Sequence, residues 1–286
     1  MLSVIIVNWN TKTHLEKCLS SLQKYAPQEG IEVIVVDNAS RDGSAEMVRN
    51  SFPDVRLLAE AENWGYAKGN NLGLREATGD FILFLNPDTE FVDESLERAI
   101  ETLRQLPEVG VLAARLLNED GTTQSSLRSF PRPLPILFDW LGLAKLFPRV
   151  PFFSRYRYRF CNYDEPGYVE QPMGTFLMTR REVLDQVGDW DESFPIFFND
   201  VDWLWRVHLA GWKVYYDPTV RVVHHGGAGT KQVRKAMIWE SHRSLLRYYE
   251  KWYVKGWNRP LFALFRWFVL GAAFVRARGF DAGFRR

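Results

Sequence analysis

Three places in the chain put ligand or base atoms where apolar runs stop. Phe81 to Leu85 is an apolar run that ends in Asn86-Pro87-Asp88-Thr89. A carboxylate just past a buried strand is well placed to hold Mg2+ or Mn2+, ions that take few protein oxygens and favour substrate phosphates as further ligands. The same tetrapeptide also reads as a turn in which Asp88 or Thr89 caps the next helix. A second place is Trp190 to Trp203, where acids sit inside an aromatic stretch. Asp200 follows two phenylalanines, so partial desolvation should raise its carboxyl and suit it to general-base chemistry. Asp202 reads as a cap or as a partner of Arg206, one helical turn away. Together with Trp190, Trp203 and Arg206 it is also a candidate for an acceptor side of the site. The third place is His224-His225-Gly226-Gly227, which closes a β-branched run and offers a metal ligand, against the commoner structural role of histidine.

Two further motifs fit a nucleotide. Asp37, in Val35-Val36-Asp37-Asn38-Ala39-Ser40, ends a strand where a carboxylate can accept hydrogen bonds from a base or ribose, or can serve as a turn or cap residue. Asn63-Trp64-Gly65-Tyr66-Ala67-Lys68-Gly69-Asn70-Asn71 is a glycine-spaced loop that enters a helix, a place where backbone N–H groups and the helix N-terminus favour phosphate. It has neither the Gly-Lys-Ser/Thr of a Walker loop nor the spacing Gly-x-Gly-x-x-Gly.

The elements that must position these residues alternate. Strands are expected near Ser3–Val7, Ile31–Val36, Val55–Leu58, Phe81–Leu85 and Val109–Ala113. Helices are expected at Thr11–Tyr25 (capped by Thr11 or Thr13), after Asp42-Gly43-Ser44, at Gly69–Ala77 and at Ser95–Leu106. Alternation of this kind predicts an α/β fold with a mostly parallel, doubly wound sheet and helices on both faces. Ligands in such sheets sit beyond the carboxyl ends of the strands, which here carry Asn8, Asp37 and Asp88. After Arg115 the alternation stops. Ser129–Phe160, rich in Pro, Arg and aromatics, reads as an irregular insertion or mobile loop. Order returns at Gly174–Met178, Arg181–Val187, Phe197–Ala210, Val214–Tyr216 and Arg221–His225.

Composition bounds the rest. The 286 residues are 46% hydrophobic and 25% charged, enough for a sizeable core and unlike a disordered chain. Two cysteines, Cys18 and Cys161, are too few for a disulfide framework and fit a reducing cytoplasm. The first strand begins almost at Met1, so no signal peptide is expected. Nor does any uninterrupted apolar run reach the roughly 18 residues of a spanning helix. The net charge of +1 conceals an acidic body and a basic, aromatic end, residues 231–286. Such an end suits an anionic phospholipid surface. Nucleic acid is a poorer partner, because the acidic body carries no recognised binding module.

In this order the motifs resemble glycosyltransferase family 2, and within it the bacterial rhamnosyltransferase-like branch. The resemblance spans about Leu2 to Thr230. It rests on Val-Ile-Val-Asn-Trp-Asn-like opening residues Ile5 to Asn10, on Val35 to Ser40, on the loop Asn63 to Gly73, on Leu85 to Thr89, on Trp190 to Asp202 and on His224 to Gly227. It implies a GT-A fold divided into a nucleotide-sugar-binding half (1–118) and an acceptor-binding, catalytic half (119–230), followed by an amphipathic helical tail (231–286). By the same resemblance Asp37 contacts the base or ribose, and Asn8, Asn63, Gly65, Gly69 and Asn86 belong to the nucleotide pocket. Asp88 is the last acid of the metal motif, with Asn86 in place of the first, and His224 approaches the metal or diphosphate. Asp200 is the base, with Asn199 where Glu is usual.

The activity so implied is inverting transfer of a sugar, L-rhamnose from dTDP-rhamnose as the favoured donor and a UDP-linked sugar as another. The acceptor is expected to be a cell-envelope polysaccharide or a polyprenyl-diphosphate-linked saccharide, with Mg2+ or Mn2+ as cofactor. In the tail, Leu261 to Val275 is apolar apart from Arg266, which suits an interfacial helix on the inner face of the cell membrane; packing on the body or a dimer contact is the alternative. Two other readings stand beside this one. A nucleotidyltransferase would open with a Gly-rich, Lys/Arg-bearing loop, which Asn8-Trp9-Asn10-Thr11 is not. A non-catalytic sugar or membrane-surface binding protein on the same fold is consistent with the amides Asn86 and Asn199.

Overall fold

In the computed structural model, residues 1–158, 160–227, 229–281 and 283–284 are described, with Trp140, Thr230 and Lys231 described by backbone alone. Strand β1 (Leu2–Asn8) is buried along its whole length. Its neighbours β2 (Ile31–Asn38), β3 (Arg56–Glu60) and β4 (Phe81–Leu85) run parallel to it in the order β3-β2-β1-β4. Successive residues of a strand face opposite sides. Val4 and Ile6 therefore join one apolar core and Ile5 the other, and a β-branched run without polar breaks is what a strand covered on both faces requires.

Helices α1 (Lys12–Lys24), α2 (Ser44–Ser51), α3 (Gly65–Glu76) and α4 (Ser95–Gln105) supply most of that cover in the first half. Helix α3 lies so close to the sheet that a Cβ on Gly73 would fall 2.5 Å from Ile5 and one on Gly69 2.7 Å from Val7. Strand β5 (Thr89–Phe91) follows β4, and β6 (Val109–Leu117) follows α4. The second half adds a small pair, β7 (Leu127–Arg128) with β9 (Gln171–Pro172), and an edge strand β8 (Gly167–Val169). Strand β10 (Phe176–Arg180) then inserts antiparallel between β4 and β6. Strand β11 (Lys213–His224) runs parallel to β6, and its last residues pair antiparallel with β5. The nine-stranded sheet is thus parallel at one end and mixed at the other.

One expectation is corrected. The stretch 129–160 is not irregular: it holds the short helices α5 (Pro133–Trp140), α6 (Leu143–Leu146) and α7 (Pro151–Ser154) and a 3-10 turn over Arg155–Arg157. Pro133 and Pro151 stand in the first turns of their helices, where a missing N–H costs nothing. The expected helical tail, 231–286, packs in part on the body, the alternative to a purely interfacial role. Helices α8 (Arg181–Val187) and α9 (Asn199–Leu209) precede α10 (Arg234–Trp252), and Tyr248 and Tyr249 of α10 are buried in the same core as Trp203 and Leu204 of α9. Only α11 (Arg259–Ala277) keeps an outer face, with Leu264 and Trp267 largely exposed while Val269 and Ala273 pack on α10. Gly256–Ala277 is long and apolar enough to cross a membrane by length and composition, although Arg259, Arg266 and Arg276 interrupt its apolar residues.

Candidate active site

Strand β1 has β2 on one side and β4 on the other, so the chain reverses direction of travel across the sheet at its carboxyl end. A cleft of about 840 Å3 opens there, bordered by Asn8, Asn63, Gly65, Asn86, Asp88, Asp200 and His224 among others. Sheet topology alone brings together residues separated by more than 200 positions.

On the nucleotide side, Asn8 and Asp37 are register partners in β1 and β2. The Asn8 amide donates to Asp37 Oδ1 at 2.7 Å, and the Ser40 backbone N–H donates to Asp37 Oδ2 at 3.0 Å. Thr11 does not cap α1 with its side chain; its hydroxyl donates to Asn8 Oδ1 at 2.5 Å. Asp37 is buried beside Asn8 and is not among the residues that line the cleft. The glycine loop differs further. Asn63 Oδ1 accepts from the Gly65 N–H at 3.0 Å, and the Pro195 carbonyl accepts from the N–H groups of Tyr66 and Ala67 at 2.6 and 3.3 Å. The first amides of α3 are thus occupied by the chain itself, and a phosphate cradle at this helix end is not what the fold provides. Gly65 instead has φ 84° and lies so near Pro195 that a Cβ would meet its carbonyl oxygen at 2.6 Å. Gly69 packs against Val7 and is not itself a lining residue of the cleft.

The candidate metal ligands meet because β5 pairs with the end of β11, placing His224 opposite Thr89. The His225 N–H donates to the Asp88 carbonyl at 2.9 Å, which locks the turn after β4 to the turn after β11. His224 Nε2 stands 3.5 Å from Asp88 Oδ1, and both side chains are nearly buried. Gln124 orients the imidazole. Its amide nitrogen donates to the His224 carbonyl at 2.6 Å, so its oxygen is the atom facing His224 Nδ1 at 2.9 Å. Nδ1 then carries a hydrogen, and Nε2 is the ring nitrogen turned toward Asp88. A carboxylate oxygen and an imidazole nitrogen facing one another suit a divalent cation, with the orienting partner such ligands usually have. Among the described residues no group of three or more His, Cys, Asp or Glu side chains converges. Two protein ligands leave the remaining positions to diphosphate oxygens and water, the habit of Mg2+ and Mn2+. Asn86 borders the same floor and holds β10 through its N–H, which donates to the Thr175 carbonyl at 3.0 Å.

Asp200 lies in the first turn of α9. Phe198, at φ 66°, turns the chain into that helix through the left-handed region, a strained conformation for a non-glycine residue. Asp200 Oδ2 accepts from the Gly174 N–H at 3.0 Å and Oδ1 from the Val201 N–H at 2.9 Å. Burial pushes the carboxyl above its ordinary range, and these two backbone donors pull against that shift. A Cβ on Gly174 would lie 2.9 Å from Asp200 Cβ, so only glycine allows this approach. Asn199 is buried, and its amide donates to the carbonyls of Phe194 and Ile196 at 3.2 and 3.0 Å. A glutamate there would present oxygens to oxygens. The amide at 199 is therefore what this loop needs and is no sign of a missing acid.

The four acceptor-side candidates lie elsewhere. Trp190 and Trp203 are core residues, stacked at 5.6 Å with an interplanar angle of 14°. Asp202 is fully buried and binds Arg206 at 3.2 Å, Lys251 at 2.8 Å and the Trp252 indole N–H at 2.7 Å. None of the four borders the cleft. Cleft residues that the sequence reading did not single out include Tyr66, whose hydroxyl donates to the Gly174 carbonyl at 3.1 Å, and Gly174 and Thr175 themselves. A glycine immediately before a buried strand was the available signal. The last part of the chain also reaches the cleft, through Met237 of α10 and Phe280, Asp281 and Phe284, and nothing in their sequence announced it.

Known proteins were compared with this chain at the level of families, sequences and structures. Residues 3–188 match the model of Glycosyl transferase family 2. The chain is 28% identical to N-acetylglucosaminyl-diphospho-decaprenol L-rhamnosyltransferase of Mycobacterium tuberculosis, over 97% of this chain and 92% of that protein. It is 25% identical to the low-salt glycan biosynthesis hexosyltransferase Agl10 of Haloferax volcanii, over 78% and 67% of the two chains. In structure it resembles the mannosyltransferase PcManGT of Pyrobaculum calidifontis, solved with GDP-Man and Mn2+, with a TM-score of 0.58 at 20% identity over 99% of this chain and 76% of that one. The architecture is the GT-A fold, and the chain belongs to glycosyltransferase family 2, in which it resembles the rhamnosyltransferase-like branch.

Proposed function

We propose that this protein is an inverting, cation-dependent glycosyltransferase. It would carry L-rhamnose from dTDP-rhamnose to a polyprenyl-diphosphate-linked saccharide at the inner face of the cell membrane. The observation that carries the reading is that a half-buried acid with a raised carboxyl, Asp200, and the Asp88–His224 pair open onto one cleft. The full-length similarity to a mycobacterial enzyme named for rhamnosyl transfer to N-acetylglucosaminyl-diphospho-decaprenol supports the choice of sugar and acceptor. The largely exposed apolar face of α11 supports the membrane location.

In this reading Asp200 takes the proton from an acceptor hydroxyl as that oxygen bonds the anomeric carbon. The bond from the same carbon to the diphosphate oxygen breaks, and its electron pair leaves with the nucleoside diphosphate. One displacement from the opposite face inverts the configuration, with no protein nucleophile needed. A divalent cation held by Asp88 and His224 would supply positive charge where the leaving group becomes negative. Asn8 and Asn63 border the part of the cleft assigned to the nucleoside, and Asp37 acts behind Asn8 by fixing its amide.

Calorimetric titration with dTDP, UDP and GDP, each with Mg2+, with Mn2+ and with chelator, tests the donor assignment. The expected outcome is cation-dependent binding that favours dTDP. A preference for UDP or GDP would change the donor, and failure of every nucleoside diphosphate to bind would remove the enzymatic reading.

A further inference from the structure

The helical insertion between β7 and β8 has an outer tip unlike the rest of the first 230 residues. Residues 128–160 hold seven Lys/Arg and a single acid, Asp139, in an otherwise acidic body. The helices α5, α6 and α7 satisfy one another on the inside, where Phe138 meets Phe152 and Phe153 at 5.2 and 5.3 Å and Ala144 is buried. Outward they present Leu141, Leu146 and Phe152 at 65%, 69% and 61% exposure, with Phe147 and Val150 beside them. Lys145 and Arg149 lie among these apolar residues and are exposed as well. Nearer the base Arg132 and Arg155 pair with Glu170, Arg157 pairs with Asp139 and Arg128 donates to Ser125 and the Leu127 carbonyl, so among the described residues of the insertion the free cationic heads are Lys145 and Arg149. Apolar side chains that project into water between cationic heads are the pattern of an element that enters the headgroup region of an anionic monolayer.

The base of the insertion is fixed beside the site. The Ser129 N–H donates to the Tyr156 carbonyl at 3.0 Å, the Phe130 N–H donates to Glu170 at 3.0 Å, and the Phe130 ring packs on Trp205 of α9 at 4.7 Å. The partner strand β9 leads within two residues to Gly174, the donor to Asp200. A surface held by the tip would therefore be held in a set relation to the base.

We propose that the tip Leu141–Phe152 is a phospholipid-docking surface, separate from α11, that inserts into an anionic monolayer and presents the acceptor side of the cleft to it. The proposal deepens the membrane-face reading above and rests on it for the choice of lipid as partner. Its charge complementarity is the argument: two exposed cations and no exposed acid stand among the tip's apolar residues.

The full-length protein would be sedimented with vesicles of phosphatidylcholine alone and of phosphatidylcholine with phosphatidylglycerol. Three variants would be compared, L141S/L146S and K145S/R149S at the tip and W267S/F268S on α11. The apolar tip variant should bind anionic vesicles at least tenfold more weakly. The charge variant, which removes only exposed heads, should lose affinity for anionic vesicles by about fivefold per residue and none for neutral ones. Both should keep their unfolding midpoint and their nucleoside diphosphate binding, and the tip and α11 losses should multiply when combined. Wild-type vesicle binding by both tip variants would overturn the proposal. So would conversion of a dimer to a monomer with vesicle binding intact, which assigns the face to a second copy. Absent nucleoside diphosphate binding with tip-dependent vesicle binding intact would count against the transferase reading alone.

Discussion

Asp200 and Asp202 are two residues apart on one helix and serve opposite ends. Asp200 faces the cleft and receives only backbone N–H groups, from Gly174 and Val201. Asp202 faces inward and receives Arg206, Lys251 and the Trp252 indole. Two helical residues are separated by about 200° around the axis, so one acid looks out and the other is buried against α10. The difference teaches that residue type did not decide the role. A carboxylate left without a cationic partner keeps its basicity, and one given two cations and an indole becomes a clamp that holds α10 to α9.

The largest effect that would test this comparison is on stability. Asp202→Asn should leave Arg206 without its buried anion and Lys251 with Asp191 alone, and cost about 3 kcal/mol in urea unfolding, because removing one member of a buried pair strands the other. Turnover per folded molecule should change little. A variant as stable as the parent but inactive would move Asp202 into the chemistry. Next comes Gly174→Ala. The added methyl must displace Asp200 or β10, and misplacing a base by a few tenths of an ångström to 1 Å is expected to lower kcat on the order of 10- to 100-fold. Circular dichroism should remain native, so a loss confined to folding would contradict the positioning role.

The smallest effect is a displacement of the pH profile. A general base works only when ionised, and burial raises the Asp200 carboxyl. As pH falls through that raised value the proton returns and kcat/KM should fall, so the acid limb should lie above the ordinary aspartate value of about 4. An acid limb at the ordinary value would mean that Asp200 is more open to water than its surroundings indicate.

Much of this was legible in the sequence wherever a local rule was strong. The strands β1, β2 and β4 are β-branched or apolar runs closed by polar residues, and Asn8, Asp37 and Asp88 mark their ends. The sequence predicts two pieces, Val214–Tyr216 and Arg221–His225, where the structure has the one strand β11, paired across a register shift between Asp217 and Arg221. It predicts helix α3 from Gly69, whereas the helix begins at Gly65, a glycine that permits close packing on Pro195. What failed depended on partners distant in sequence. The α3 amides look free until Pro195, about 130 positions away, is found on them. Trp190 and Trp203 look like a sugar platform until each is seen to stack on the other inside the core. The part played by α10 rests on Asp202 meeting Lys251 and Trp252, which no periodicity discloses.

Asp200→Asn gives the most direct test of the central claim that Asp200 is the base in this cleft. Single-turnover sugar transfer should be followed in the variant beside calorimetric binding of the donor nucleotide. The account predicts a fall in transfer of about 1,000-fold, within the range that a general base supplies, with donor affinity within about twofold of the parent. Transfer at the parent rate with the same donor affinity would contradict it.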